Sequence, residues 1–271
     1  MSAAKAVFRT ALNHVFVSTA LLLPIAPNVA LSGEHKGHQD QGINTSGYAE
    51  ICECVDPYNG VRNIPVMVRD FHDTHPDFES RLGTDRGIVM ADLGADGRPV
   101  YAHAEGGTLT TTGKANFDQW YRDVPDVNQG VSKTLQMVEI DPHSGEPTPG
   151  TGFWDYRNNS FFPIDNDVFG NDGRSHNYHF TLETHLKFFY VEGGEFTFRG
   201  DDDLWIFING KLAIDIGGVH SMQQQTIYLD DIADYLGIEP GNTYNFDLFF
   251  AERHTTESNF MFQTTLELQC L

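Results

Sequence analysis

The chain has 271 residues, enough for one large domain or two small ones with a substantial core. Its 38 acidic residues against 17 basic give a formal charge of -21, which argues against nucleic acid and anionic lipid surfaces as partners. Abundant Gly, Asp, Asn, Thr and Phe with few Lys fit a turn-rich β protein secreted into a calcium-containing medium; a merely solubilising acidic surface is the alternative.

At the N-terminus Lys5 and Arg9 precede an uncharged stretch, 15–30, that includes Ala20-Leu21-Leu22-Leu23. Residues 1–32 therefore read as a secretory signal peptide, with cleavage after Ala30 or Ser32. Pro24 and Pro27 leave the segment short for a bilayer span, although a retained anchor is the competing reading. No later stretch is apolar enough to insert in a membrane after cleavage. Residues 33–60 are polar and aperiodic, a flexible leader that carries Cys52 and Cys54. Export makes the three cysteines disulfide candidates. Cys270 paired with Cys52 or Cys54 would staple the domain ends together and leave one thiol, either free or joined to another chain.

From residue 61 to 271 the texture changes to short apolar or alternating runs divided by Gly, Asp, Asn and Pro. Strands are predicted over 64–71, 134–140, 185–190, 194–199, 204–208, 211–216, 225–229, 243–250 and 260–268. Asn209-Gly210 fits a two-residue hairpin turn, which needs positive φ at both positions. Short helical pieces are predicted at 116–121 and 230–236, too few turns to form a helical layer. The fold class is all-β, an antiparallel β-sandwich with long loops and one or two short helices.

Asp201-Asp202-Asp203 stands out, three adjacent carboxylates wedged between Phe196-Thr197-Phe198 and Leu204-Trp205-Ile206-Phe207-Ile208. Their mutual repulsion at the mouth of an apolar strand is relieved by a hard cation; Ca²⁺ takes six to eight oxygens in irregular geometry. A solvated acidic turn is the competing reading. If 243–250 and 260–268 form a hairpin, their connection, 251–259, is longer than a turn requires and rich in side-chain oxygens. Asn259 and nearby carbonyls would then complete the shell, with Ser258 a further candidate.

Other constellations are weaker. Asp165, Asp167 and Asp172 suggest an irregular second calcium site, although Phe169 and His176 fall where an EF-hand loop needs ligands. His72 with His75, and His176 with His179, have a spacing that in strands puts the two rings on opposite faces, so zinc is not expected. No nucleophile elbow, phosphate loop or zinc-protease motif occurs, and carboxylates that hold calcium make poor general acids. The chain is not expected to be an enzyme.

The segment 200–212, then Asp215-Ile216-Gly217-Gly218-Val219-His220, then 249–260, resembles the bacterial fibro-slime domain, as do Val68-Arg69-Asp70-Phe71 and His176-Asn177-Tyr178-His179 upstream. That domain is similar to the protective-antigen-type sandwich of flocculins and other calcium-dependent lectins. The resemblance implies that two aspartates joined by a cis peptide hold calcium, which in turn binds sugar hydroxyls. Counting back from Asn209 places the pair on Asp201 and Asp202, whereas Asp203 stands where those lectins have Gly, which leaves its role open. Loops around the metal select the sugar, and Glu252, His254 and His220 are candidate ligand contacts. Trp154 and Tyr156 either stack on a sugar ring or pack within their own stretch.

The expectation is a secreted, calcium-dependent adhesion module that binds an extracellular glycan or matrix polymer. The alternative is a structural subunit of an extracellular fibre that self-associates through a leftover cysteine or an edge strand, with calcium only stiffening the loops; a glycoside hydrolase is the minor alternative.

Overall fold

The computed structural model describes residues 60–270. The predicted signal peptide, residues 33–59 of the predicted leader and the expected pairing of Cys270 with Cys52 or Cys54 lie outside the described residues. Among the described residues no helix is long and apolar enough to cross a membrane.

Buried Ile64, Val66 and Val68, alternating with less buried residues, give a long first strand, β1 (Val61–Phe71), which carries Pro65 in its interior; it is followed by the short β2 (Gly83–Thr84) and helix α1 (Lys114–Phe117). Then come β3 (Asn128–Glu139), β4 (Trp154–Asn158), β5 (Phe180–Phe189), β6 (Glu195–Gly200), β7 (Asp203–Ile208), β8 (Lys211–Ile216) and β9 (Gly218–Val219). The C-terminal part holds β10 (Gln223–Tyr228), α2 (Leu229–Leu236), β11 (Thr243–Glu252), β12 (Phe260–Thr264) and β13 (Leu268–Cys270). The Asn209-Gly210 turn joins β7 to β8 with φ of 51° and 74°, as the hairpin requires.

Hydrogen-bonded neighbours follow the order β10-β6-β12-β4-β3-β1-β5-β11-β7-β8, antiparallel wherever strands pair, while β13 adds to β5 and β2 pairs with β9. The ribbon folds over so that its two halves face each other. Phe246 of β11 meets Phe196 of β6 at 5.7 Å and Phe262 of β12 at 5.6 Å between ring centroids. Phe250 meets Phe260 at 5.2 Å. Strand β11 therefore lies in one layer, between β5 and β7, and β12 in the other, between β4 and β6.

That arrangement corrects the expected hairpin between 243–250 and 260–268. The two segments do not pair; the connection crosses from layer to layer because aromatic rings on both strands are buried in the same core. The predicted 260–268 strand also breaks, ending at Thr264 and resuming as β13 on the opposite layer.

Alternation on β7 and β11 serves a second core. Leu204, Ile206, Phe246 and Leu248 face the sandwich interior, whereas Trp205, Phe207 and Phe249 face outward. The outward rings are covered by Ile88, Val89, Tyr101, Phe117, Trp120 and Tyr121 from the long segment before β3. Both faces of β7 are thus buried, which is why its sequence reads as a continuous apolar run. Trp205 is fully buried, its indole N–H donating to Asp215 at 3.0 Å.

Candidate functional site

The acidic triplet turns the chain from β6 into β7. Gly200 must be a glycine: an added Cβ would sit 2.8 Å from the Asn259 carbonyl oxygen, so its absence lets 253–259 close on the triplet. Asp202 takes φ 57°, the left-handed region, and no cis peptide occurs among the described residues. The cis bond expected between Asp201 and Asp202 is therefore not present. The positive φ of Asp202 makes the turn, and backbone N–H groups satisfy its carboxylate.

Each aspartate points to a different place. Asp201 accepts from the Asn259 backbone N–H at 2.5 Å and side-chain amide at 2.7 Å. Asp202 accepts from the backbone N–H of Arg253 at 2.7 Å and of His220 at 3.2 Å. Asp203 accepts from Gly218 N–H at 2.7 Å and Arg253 Nε at 2.5 Å. The fully buried Arg253 guanidinium also donates to the Asp77 and Thr110 carbonyls at 3.0 and 2.6 Å and lies 4.7 Å from the Trp120 ring centroid. Asp203 is thus one half of a buried ion pair that ties β7 to the outer core, which removes it from the candidate ligand set.

Glu252, the last residue of β11, completes the cluster on the side of Asp201 and Asp202. It is 1% exposed, and its Oε2 is buried without a hydrogen-bond donor. Ser258 lies beside it and donates its hydroxyl to the Phe161 carbonyl at 2.7 Å. Burial, then the negative charges of Asp202 and Asp201, push the Glu252 carboxyl well above the usual carboxylate range. Asp202 is pushed up to about 8 by burial, against the opposing pull of Arg253 and with Asp203 adding to the rise. Burial raises Asp201 as well.

Four carboxylates, those of Asp201, Asp202, Asp203 and Glu252, thus share one buried cation, Arg253, which Asp203 engages directly. Uncompensated buried charge is costly and is relieved either by protons or by a bound cation. The donors are hard oxygens, the type calcium takes, and a carboxylate oxygen that accepts one N–H retains a lone pair. As the side chains stand, no three His, Cys, Asp or Glu groups among the described residues converge at metal-binding distances. The cluster thus matches calcium in the chemical type of its donors, with one orphaned oxygen among them, but not in convergence as the side chains stand.

The other predicted contacts divide. His220 reaches the cluster through its backbone N–H, and its Nε2 is buried without a partner. His254 binds its Nδ1 to the Thr255 carbonyl at 2.6 Å, and its Nε2 lies 3.6 Å from Glu79 Oε2. Trp154 is corrected: it lies on β4, 7% exposed, with the Arg62 guanidinium 4.1 Å above its ring. It pairs with Thr264, whereas Asn158 at the other end of the strand pairs with Phe260 beside the cluster. Trp154 is thus about 13 Å away along β4 and packs in the core. Tyr156 packs edge-on against Phe161 and Phe260.

Asp165, Asp167 and Asp172 do not form a second site. Asp165 accepts from Asn177 N–H at 2.7 Å and faces His176 Nδ1 at 2.6 Å, Asp167 pairs with Lys133 at 2.9 Å, and Asp172 meets His72 at 3.1 Å. His75 faces Gln119 and His179 faces Glu79, so these rings serve separate polar contacts. Arg253 is the residue sequence reasoning missed. It stands next to Glu252, but its partner is 50 positions away.

Residues 140–271, which include the whole acidic cluster, match the PA14 domain. Protein psiR of Dictyostelium discoideum is 35% identical over 211 residues, 72% of this chain and 20% of that protein. Protein psiD of the same organism is 36% identical over 224 residues, 76% of this chain and 42% of that protein. The chain thus spans less than half the length of these curated relatives. The Epithelial Adhesin 9 A domain of Candida glabrata, solved with Galb1-4GlcNAc, covers 80% of this chain and 92% of its own at 12% identity, with a TM-score of 0.30. The bacterial fibro-slime label is not supported, since these relatives are Dictyostelium proteins.

Proposed function

We propose that this chain is an extracellular carbohydrate-binding or adhesion module whose ligand-binding end is organised by Ca²⁺ at Asp201, Asp202, Glu252 and Asn259. The observation that carries the reading is the orphaned Glu252 Oε2, buried beside Asp201 and Asp202 with no counter-charge of its own. The PA14 match over residues 140–271 supports a binding role over a catalytic one.

Asp201 and Asp202 would hold the ion through lone pairs left free by their N–H donors, and Asn259 through its side-chain amide oxygen. Bound there, calcium would offer open coordination positions to vicinal sugar hydroxyls. The backbone of His220 and Arg253 fixes the Asp202 carboxylate, so the ion would meet a preset ligand. His254 and the ring of His220, on the flanking loops, would be the candidates for choosing among sugars.

Glycan-array binding with and without chelator, for the native chain and for Glu252→Gln, tests this. Binding that needs Ca²⁺ and is lost in the variant is expected. Calcium-dependent polymers without glycan binding would instead assign the chain to a matrix fibre. Melting and binding that ignore the chelator would sink the calcium reading.

A further inference from the structure

Strand β3 pairs with β1 along its whole length, from Asn128↔Phe71 to Val138↔Val61. On its other side, among the described residues, it pairs with β4 only at Val138↔Asp155 and Glu139↔Trp154. Continuing that register would place Leu135 opposite Asn158 and Lys133 opposite Ser160. Instead the strands part, and these four residues, with Tyr156 and Phe161, line a cavity of about 240 Å³. Two pulls hold it open. Five residues of β4 are committed to β12, and Phe161 N–H is bound to the Ser258 carbonyl at 2.9 Å.

The unpaired edge has a fixed polarity. Glu139 N–H bonds to Gly60 on the β1 side, whereas Ile140 N–H bonds to Phe153 on the β4 side. Backbone groups alternate along an antiparallel strand, so Ser132, Thr134 and Gln136 turn their N–H and C=O toward the cleft. By the same alternation from Phe153, the backbone of Arg157 faces it from β4. Both lips are exposed strand edges, the groups that an added strand satisfies. The floor, with buried Leu135 and Phe161 and half-buried Tyr156, suits an apolar side chain pointing inward. On the lip Arg157 is half exposed and only loosely paired with Asp155 at 3.4 Å, which favours an acidic residue at an outward position.

We propose that this cleft is a docking site for an extended peptide segment of a partner protein, taken up as a strand between β3 and β4, with an apolar side chain inward and an acidic one outward. It borders the acidic cluster through Ser258, which holds Phe161, but none of the residues lining it is a proposed calcium ligand, so binding should not require calcium.

The test uses the acetylated, amidated hexapeptide TVEVTV as probe, with a copy N-methylated at alternate residues to remove its strand donors. On the full chain, TVEVTV should slow amide exchange at Thr134 and Gln136, and the methylated copy should bind at least about tenfold more weakly. Chelator should leave binding unchanged. Thr134→Pro removes a donor that faces the cleft rather than β1, and should weaken binding similarly at unchanged melting temperature. Equal binding of the methylated peptide, protection mapping elsewhere, or no binding at millimolar peptide would overturn the proposal. So would self-association of the chain through this edge, blocked by Thr134→Pro without peptide binding, since the occupant would then be a second copy.

Discussion

Arg253 Nε closes on the Asp203 carboxylate at 2.5 Å while the Arg253 backbone N–H reaches Asp202 at 2.7 Å. One residue thereby gives the two aspartates different surroundings. Asp203 bonds directly to the guanidinium, whereas Asp202 bonds to peptide N–H groups and feels that positive charge only through space.

The ion pair is a structural element. Asp203→Ala leaves the fully buried guanidinium of Arg253 without its counter-charge, and removing one member of a buried pair costs about 3–5 kcal/mol. Urea unfolding should show that loss, and calcium should not restore it. Asp201→Ala should change the stability of the calcium-free protein far less.

Stability without calcium should fall as pH rises. Burial lifts Asp202 from 3.8 to about 8 in the folded state, so the folded chain holds a proton that the unfolded chain has released. The stability this contributes is whole below the unfolded value and is lost as pH passes through about 8. Glu252, raised by burial and by the charges of Asp202 and Asp201, acts in the same direction. With chelator present, the melting temperature should drop by roughly 5–10 °C between pH ~5 and pH ~9. Calcium should restore it at the alkaline end and do little at the acid end, where protons compete. A flat profile in chelator would show that the cluster is not the source of the effect.

Glu252→Gln separates charge from shape. The amide keeps the volume, and its N–H₂ has Asp201 and Asp202 nearby as acceptors. In chelator the variant should melt higher than the native chain at alkaline pH, with a flatter pH profile. Its calcium affinity by titration calorimetry should fall at least about tenfold, because a charged oxygen is lost. A variant that binds calcium as tightly as the native chain would remove Glu252 from the ligand set.

Trp154→Ala distinguishes core from sugar contact. Loss of the buried ring under Arg62 should cost about 3–5 kcal/mol in denaturant. Glycan binding per folded molecule should be unchanged. Lost binding at full stability would return Trp154 to the site.

Much of this was legible locally. The Asn209-Gly210 turn, the period-two pattern of 243–250 and the short helix near 230–236 each follow from neighbouring residues, and each forms close to where it is predicted. The pairing of 243–250 with 260–268 was not legible. A strand pattern fixes which side chains are buried but not which layer the next strand joins, and here Phe250 and Phe260 meet across the core.

The acidic triplet divides the same way. By itself the sequence determined that three carboxylates enter an apolar strand, and hence that something must relieve their repulsion. Only the tertiary structure decided how that relief is shared. It brings Arg253 from 50 residues away to Asp203, brings Asn259 to Asp201, and leaves Glu252 Oε2 buried without a donor. The reason is physical: burial sets the energy of a charge, and burial is a property of the packed layers, not of the neighbouring residues in the chain.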